Sequence, residues 1–381
     1  MSYSNKEILE RAREVLKESE DGLFEGVTYF ITGTVPDQPR MFHKIKHVEL
    51  SDSDVILDGY PRSGNHWIFE VVGAILNQDI GNEKDDFLFR LLDFMGDDVE
   101  SRIHSLPAPR MISSHLWVSR LPEIIQQGNV KIVYILRNPK DALASWYHLL
   151  KEIKLPYGFA GTWGEFSELS LSSASRLYPS DFCSMMSLCH LHCGVPKGED
   201  VAIHFYRKRF IICFFASCSK VLECERSTII IFYCHNHLTY ILFSQLVGEI
   251  PWGSWFDHVL EMEKFLKEYP DSPVHVIQYE KMKKDPVSEI KKLCDFLGRL
   301  NVNVEELALA TSFAQMKQNK DPVYRQSEGT FCHKGSLGVM VKGTIGGWCE
   351  RFTVDQSERY DKAFEEKMKG SKLADMVREY I

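Results

Sequence analysis

The sequence predicts an α/β fold: a single domain with a central parallel sheet flanked by helices. Three observations predict it. Short runs rich in apolar and β-branched residues recur along the chain. Each is followed by a loop and then by apolar residues at helical spacing. No internal repeat interrupts this alternation, and strands that alternate with helices pair in parallel, because each helix carries the chain back across the sheet.

In order, residues Lys6–Ser19 read as a helix, with Ile8, Leu9, Ala12, Val15 and Leu16 at spacings of three and four. A loop with Gly26, Gly33, Pro36 and Pro39 follows. The first strand covers Asp54–Asp58, a tight turn runs from Gly59 to Asn65, and a helix covers His66–Leu76. The second strand is Arg110–Ser114. The third is Val130–Leu136, with a loop at Arg137–Lys140 and a helix over Asp141–Lys151. The fourth is Val274–Tyr279, followed by a helix over Pro286–Leu297. Ligands of such sheets bind beyond the carboxyl ends of the strands.

The chain has 381 residues, 44% hydrophobic and 26% charged, near globular averages. A net charge of -8 argues against a nucleic-acid binder, so an anionic ligand must be held by local charge. Met1 is followed by a polar run without an apolar core, so no secretory signal is expected. The apolar stretches Phe210–Ala216 and Ile229–Tyr233 are too short to span a membrane. A cytoplasmic protein with reduced thiols and no membrane partner is expected.

Three motifs carry chemistry. Tyr60-Pro-Arg-Ser-Gly-Asn-His-Trp67 lies between strand and helix, where backbone N–H groups and the helix dipole favour an anion. Gly64 allows close approach, and Arg62 and Ser63 add donors. The stretch is a phosphate-binding type of loop without the nucleotide-triphosphatase signature; an ordinary turn with a buried Trp67 is the alternative. In the second motif, Val133 to Asp141 and on to His148, Arg137 ends a strand and can fork onto a phosphate, or pair with Asp141 as a structural salt bridge. Ser145 can point into the same cleft. In the third, Val339 to Trp348, Lys342-Gly343 with Gly346 and Gly347 suits either an anion-gripping loop or a plain turn.

In order and spacing these motifs resemble the cytosolic sulfotransferase family, over residues 22–167 and 243–369. Smaller echoes stand at Pro107-Ala-Pro-Arg110, Thr162-Trp163, Pro251-Trp-Gly-Ser-Trp255, Tyr279-Glu-Lys-Met282 and Thr311-Ser-Phe313. The resemblance implies a domain over residues 22–370 and the co-substrate 3'-phosphoadenosine 5'-phosphosulfate (PAPS), with no metal. It places the 5'-phosphosulfate on the loop of Arg62, Ser63, Gly64, Asn65, His66 and Trp67. It places the 3'-phosphate on Arg137, Ser145, Lys342 and Gly343. Trp67 and Phe313 would sandwich adenine with Met340 alongside, and Tyr279, Thr311 and Ser312 would line the nucleotide site. His115, in Ser114-His115-Leu116, matches the catalytic base; Arg62 and Ser145 complete the catalytic set, Ser145 also tempering the cation. A neutral hydroxyl is a poor nucleophile, and an imidazole titrating near ambient pH can take its proton. The implied reaction is sulfuryl transfer to a hydroxyl or amine of a small acceptor, such as a phenol or steroid. The alternative is a relative that binds the nucleotide without turnover. A homodimer through the segment of Thr353 and Glu358 is also implied.

The chain departs from the family pattern in places. Arg62 stands for the usual lysine, keeping charge but unable to release a proton. Val341 replaces an arginine, removing a charged hydrogen bond of about 1.5–3 kcal/mol. Ser113 replaces a lysine beside the acceptor, and Cys349 a lysine of the dimer motif. Residues 168–242 form an insertion holding seven of the ten cysteines, with no helix or strand rhythm, expected to be poorly ordered. Two readings compete there: an added subdomain with Cys189-His-Leu-His-Cys193 and Cys234-His-Asn-His237 on zinc, or translated intron, which the composition favours.

Overall fold

Four runs of β-branched and apolar residues lie side by side in the computed structural model of the protein. It describes residues 38–78, 87–153, 162–171, 252–318 and 342–381, and the backbone of short strands at 23–24, 27–28, 201–206 and 209–214. The chain divides into two compact units, one of residues 28–173 and 250–381, the other of residues 1–27 and 174–249. The labelled elements all belong to the former.

In chain order these are α1 (Gln38–Lys46), β1 (Val55–Gly59), α2 (Asn65–Asn77), α3 (Val99–Ser105), β2 (Met111–Ser114), β3 (Lys131–Leu136), α4 (Pro139–Glu152) and α5 (Trp163–Leu171). After the second unit come α6 (Trp255–Glu268), β4 (Val274–Gln278), α7 (Tyr279–Lys284), α8 (Pro286–Leu297), α9 (Val304–Ala310), α10 (Val354–Lys367) and α11 (Lys372–Val377).

The strands form one parallel sheet in the order β2-β1-β3-β4, with Val55 paired to Met111 on one side and Lys131 on the other. β1 therefore has its successors on opposite sides. The crevice beyond the ends of β1 and β3 is the topological switch point, where such sheets bind ligands. The run-like composition follows from burial on both faces: every residue of β1 and β2 is buried. Ile68, Phe69, Val72 and Ile75 of α2 and Ile290, Leu293 and Leu297 of α8 cluster with Leu57, Val133, Ile135 and Ile277. Each such side chain contributes roughly 1.5–3 kcal/mol when fully buried.

Polar groups fix where the elements start. Asp54 accepts from the main-chain N–H of Arg110 at 2.9 Å and from its guanidinium Nε at 2.9 Å, tying the start of β1 to that of β2. Asn138 accepts from the N–H groups of Lys140 and Asp141, and Pro139 occupies the first turn of α4. Proline at that place starts a helix, so α4 begins before the predicted Asp141.

The predicted strands and the helices at 65–77, 139–152 and 286–297 agree to within about two residues, the usual scatter of element ends. The predicted helix at Lys6–Ser19 lies outside the described residues. Within residues 168–242, where the sequence shows no clear helix or strand rhythm, the backbone of Val201–Tyr206 and Arg209–Phe214 pairs antiparallel, with Tyr206 opposite Arg209. Both runs are rich in β-branched and aromatic residues but lack period-two alternation, the signal sought. α5 runs from Trp163 to Leu171.

Candidate functional site

The loop from Tyr60 to Gly64 turns β1 into α2 at the switch point. Arg62 has φ 70° and Gly64 φ 106°, both left-handed. A Cβ at Gly64 would stand 2.7 Å from Cδ2 of Tyr279, so both backbone and packing demand glycine. Asn65 is buried and its amide donates to the Tyr60 carbonyl at 3.1 Å, closing the turn. α2 thus opens with its N-terminal N–H groups at the end of the sheet.

Arg137, one residue past β3, joins the three motifs. Its Nη1 donates to the Arg62 carbonyl at 2.8 Å and its Nη2 to the Thr344 carbonyl at 3.3 Å. The guanidinium lies 4.2 Å above the centre of the Tyr279 ring. The salt bridge considered with Asp141 is not what that carboxylate makes; it accepts from the N–H groups of Gly346 at 2.8 Å and Trp348 at 2.9 Å. Asp141 holds the third motif against α4. Arg62 Nε donates to the Ser145 hydroxyl at 3.0 Å.

Lys342 is exposed and ion-paired with Glu350. Gly343, at φ 59°, abuts the Phe313 ring, which a Cβ would strike. Trp67 and Phe313 both pack on Met316, and the Trp67 ring meets Tyr279 edge-on at 5.8 Å. The Lys283 amine stands 5.9 Å from the Trp67 ring and 5.3 Å from that of Phe313. Thr311 is buried with its hydroxyl on the Leu307 carbonyl, and the Ser312 carbonyl accepts from Met316 N–H. Met340 and Val341 lie outside the described residues, as do the Cys and His residues of the considered zinc site. Thr353 caps α10, Val354 beside it is 75% exposed, and Glu358 is exposed.

His115 follows β2. Its Nδ1 lies 2.8 Å from the Gly59 carbonyl, which can only accept, so Nδ1 carries the proton and Nε2 is the basic nitrogen. Burial depresses its pKa and the Arg62 charge adds to this, while Asp93 and the Gly59 hydrogen bond oppose them. Phe87 and Trp252 flank the imidazole, at 5.8 and 5.7 Å between ring centres. Trp146 meets Trp252 at 5.7 Å, completing an aromatic wall.

The sequence reading missed Asp93. This buried carboxylate accepts from the main-chain N–H of His115 at 3.1 Å, the Ser114 hydroxyl at 3.3 Å and the Trp252 indole. It fixes the backbone that carries the imidazole. No spacing signals it, because the chain brings it there from 22 residues upstream.

Several buried donors have no partner among the described residues: the Ser63 hydroxyl, the Trp67 indole N–H and Arg137 Nε. All three lie on the motifs, or on the helix that follows the first loop, and each has a hydrogen left to donate. The fold is that of an α/β protein whose three motifs gather at the switch point of a parallel sheet. Residues 52–372 match the model of the sulfotransferase domain, and the chain belongs to that family. It is 26% identical to sulfotransferase 6B1 of Danio rerio over 361 residues, covering 93% of this chain and 91% of that protein. It is 25% identical to sulfotransferase 1E1 of Bos taurus over 343 residues, 88% of this chain and 90% of that one. In fold it resembles mouse sulfotransferase SULT7A1 complexed with PAP, with a TM-score of 0.60 at 24% identity, covering 94% of this chain and 98% of that chain.

Proposed function

We propose that the chain transfers a sulfuryl group from PAPS to a hydroxyl or amine of a small acceptor. The observation that carries the reading is the meeting of the three motifs at Arg137, with His115 tied through Nδ1 to the Gly59 carbonyl, next to the loop of the first motif. The orphaned donors fit the co-substrate: the Ser63 hydroxyl and the start of α2 suit its 5'-phosphosulfate, and Arg137 Nε its 3'-phosphate, which Lys342 reaches by leaving its exposed ion pair with Glu350. Trp67 and Phe313 suit a purine between them. PAPS supplies an activated sulfuryl group on a phosphate leaving group.

His115 Nε2 takes the acceptor's proton as the bond to sulfur forms. Its lowered pKa keeps it unprotonated near neutral pH, as a base must be. Arg62 and the α2 N-terminus face the charge that gathers on the leaving phosphate, without reorganising. Ser145 holds Arg62 through Nε, restraining the cation. The aromatic wall of Phe87, Trp252 and Trp146 orients the acceptor and keeps water from the imidazole.

Titration calorimetry with adenosine 3',5'-bisphosphate (PAP) and a PAPS-dependent sulfation assay over phenols, steroids and amines test the reading. The expected outcome is PAP binding with turnover of at least one acceptor. His115→Ala is expected to abolish turnover and leave PAP binding intact. Binding without turnover across the panel supports the non-catalytic alternative, and absence of PAP binding sinks both.

A further inference from the structure

We propose that Asn138 is a positioning residue of the nucleotide site, a buried knot through which residues 376–380 hold the Arg137–Tyr279 stack and with it the preference for a 3'-phosphate. This deepens the proposed donor binding and rests on it. The peptide that joins Arg137 to Asn138 is gripped at both of its polar groups. The Arg137 carbonyl accepts from the Trp255 indole of α6 at 3.1 Å, and the Asn138 N–H donates to Glu280 of α7 at 2.8 Å. The Asn138 side chain divides its bonds: its oxygen caps α4, while its amide donates to the Tyr380 carbonyl. Gln278, one residue before Tyr279, donates through its amide to the Met376 carbonyl at 2.5 Å. Each member of the stack thus has a sequence neighbour bonded to the main chain of one short segment.

These bonds lie in the interior. Asn138 and Glu280 are wholly buried and Gln278 nearly so. A buried polar group left unpaired costs the full desolvation of that group, so each bond specifies one arrangement of the main chain. The segment is itself fastened to α7: the Lys284 amine donates to the Tyr380 hydroxyl at 2.8 Å and stands 4.4 Å from the centre of its ring. What the knot aims is the Arg137 guanidinium. The Arg62 and Thr344 carbonyls hold it, and its Nε has no partner among the described residues. A charge-assisted hydrogen bond from a fixed guanidinium is directional. A shift of the main chain at residue 138 therefore falls on the phosphate that Arg137 meets, and far less on the rest of the nucleotide.

Adenosine 5'-monophosphate (AMP) differs from PAP only in lacking the 3'-phosphate, so the ratio of their affinities reads the knot apart from general stability. Both are measured by calorimetry on the full chain, AMP by competition. Asn138→Ser keeps a side-chain oxygen to cap α4 and removes the donor to the Tyr380 carbonyl. PAP affinity is expected to fall about ten-fold and AMP affinity less than about two-fold, since a charged hydrogen bond is misplaced in one complex only. Tyr380→Ala alters no residue of the cleft and frees the segment from Lys284. It should lower PAP affinity about three-fold and leave that of AMP unchanged. Should the serine variant fail to fold, Tyr380→Ala carries the test alone. An unchanged PAP-to-AMP ratio overturns the role, whether both affinities hold or both fall together. Wild-type protein that binds PAP no more tightly than AMP overturns the 3'-phosphate site itself, and the role of Asn138 with it.

Discussion

Gly64 is the residue at which backbone strain and ligand chemistry coincide. Its φ of 106° is a conformation that L side chains rarely adopt, and its missing Cβ is filled by the Tyr279 ring. That ring carries the Arg137 guanidinium on its face. Gly64→Ala therefore acts twice: it costs roughly 1–2 kcal/mol in backbone energy, and its methyl displaces Tyr279 and with it Arg137. The expected outcome is a lowered denaturation midpoint and PAP binding weaker by more than about ten-fold, read by calorimetry, since a charged hydrogen bond contributes roughly 1.5–3 kcal/mol. Unaltered PAP affinity would count against the role of the Tyr279–Arg137 stack. The residues of this cleft divide by how they were legible. Arg62, Arg137 and Lys342 sit in loops whose glycines, prolines and flanking runs mark them, and His115 ends a strand. Asp93, Phe87 and Trp252 reach the site by tertiary approach alone: the Trp252 indole meets Asp93 across 159 residues, a distance no local pattern encodes.

At the scale of elements, β1 carries a cost as well as a site. Asp58 lies wholly buried one residue before the carbonyl that orients His115, with no side-chain partner for its oxygens among the described residues and only the Gly59 N–H to favour its charged form. Burial raises its pKa well above 3.8, and the nearby Asp93 charge raises it further. A carboxyl whose folded pKa is raised binds more protons in the folded state, so stability falls as pH rises from about 3.8 toward the folded value. Asp58→Asn removes this titration. The variant should resemble wild type near pH 4 and gain on it at about 1.4 kcal/mol per pH unit within that window, read from urea midpoints at several pH values. Parallel curves would show that Asp58 ionises in the folded protein without penalty. The same double burial that strains Asp58 is why the strands could be read from the sequence: a central parallel strand is apolar along its length. The 3-10 turns between Phe87 and Asp98 were not legible, because their residues neither alternate nor repeat at helical spacing. α7 was missed for a related reason: its six residues, Tyr279–Lys284, continue directly from β4 without a cap that marks the change.

At the scale of the whole molecule, the question is what residues 174–249 add to the unit formed by residues 28–173 and 250–381. The chain is anchored on both sides of that stretch by contacts within the latter unit. Before it, the Trp163 indole donates to Gln356 at 2.9 Å, Arg359 pairs with Glu168, and the Lys367 amine donates to the Leu171 carbonyl at 3.0 Å, fastening α5 to α10. After it, the Trp252 indole is held by Asp93 and the Tyr60 hydroxyl donates to the Gly253 carbonyl at 3.1 Å. The sheet, the helix caps and every site contact described above lie in residues outside the stretch. Replacing residues 174–249 with flexible Gly/Ser linkers of graded length should therefore leave a chain that folds and binds PAP, with affinity within about three-fold of the parent. Loop-closure entropy favours the shortened chain, by only about 0.6 kcal/mol for each halving of the loop, so the thermal midpoint should not fall. Should the replaced chain fold but lose PAP binding at every linker length, the stretch supplies part of the site. Turnover that appears only after replacement would mean that the stretch suppresses activity.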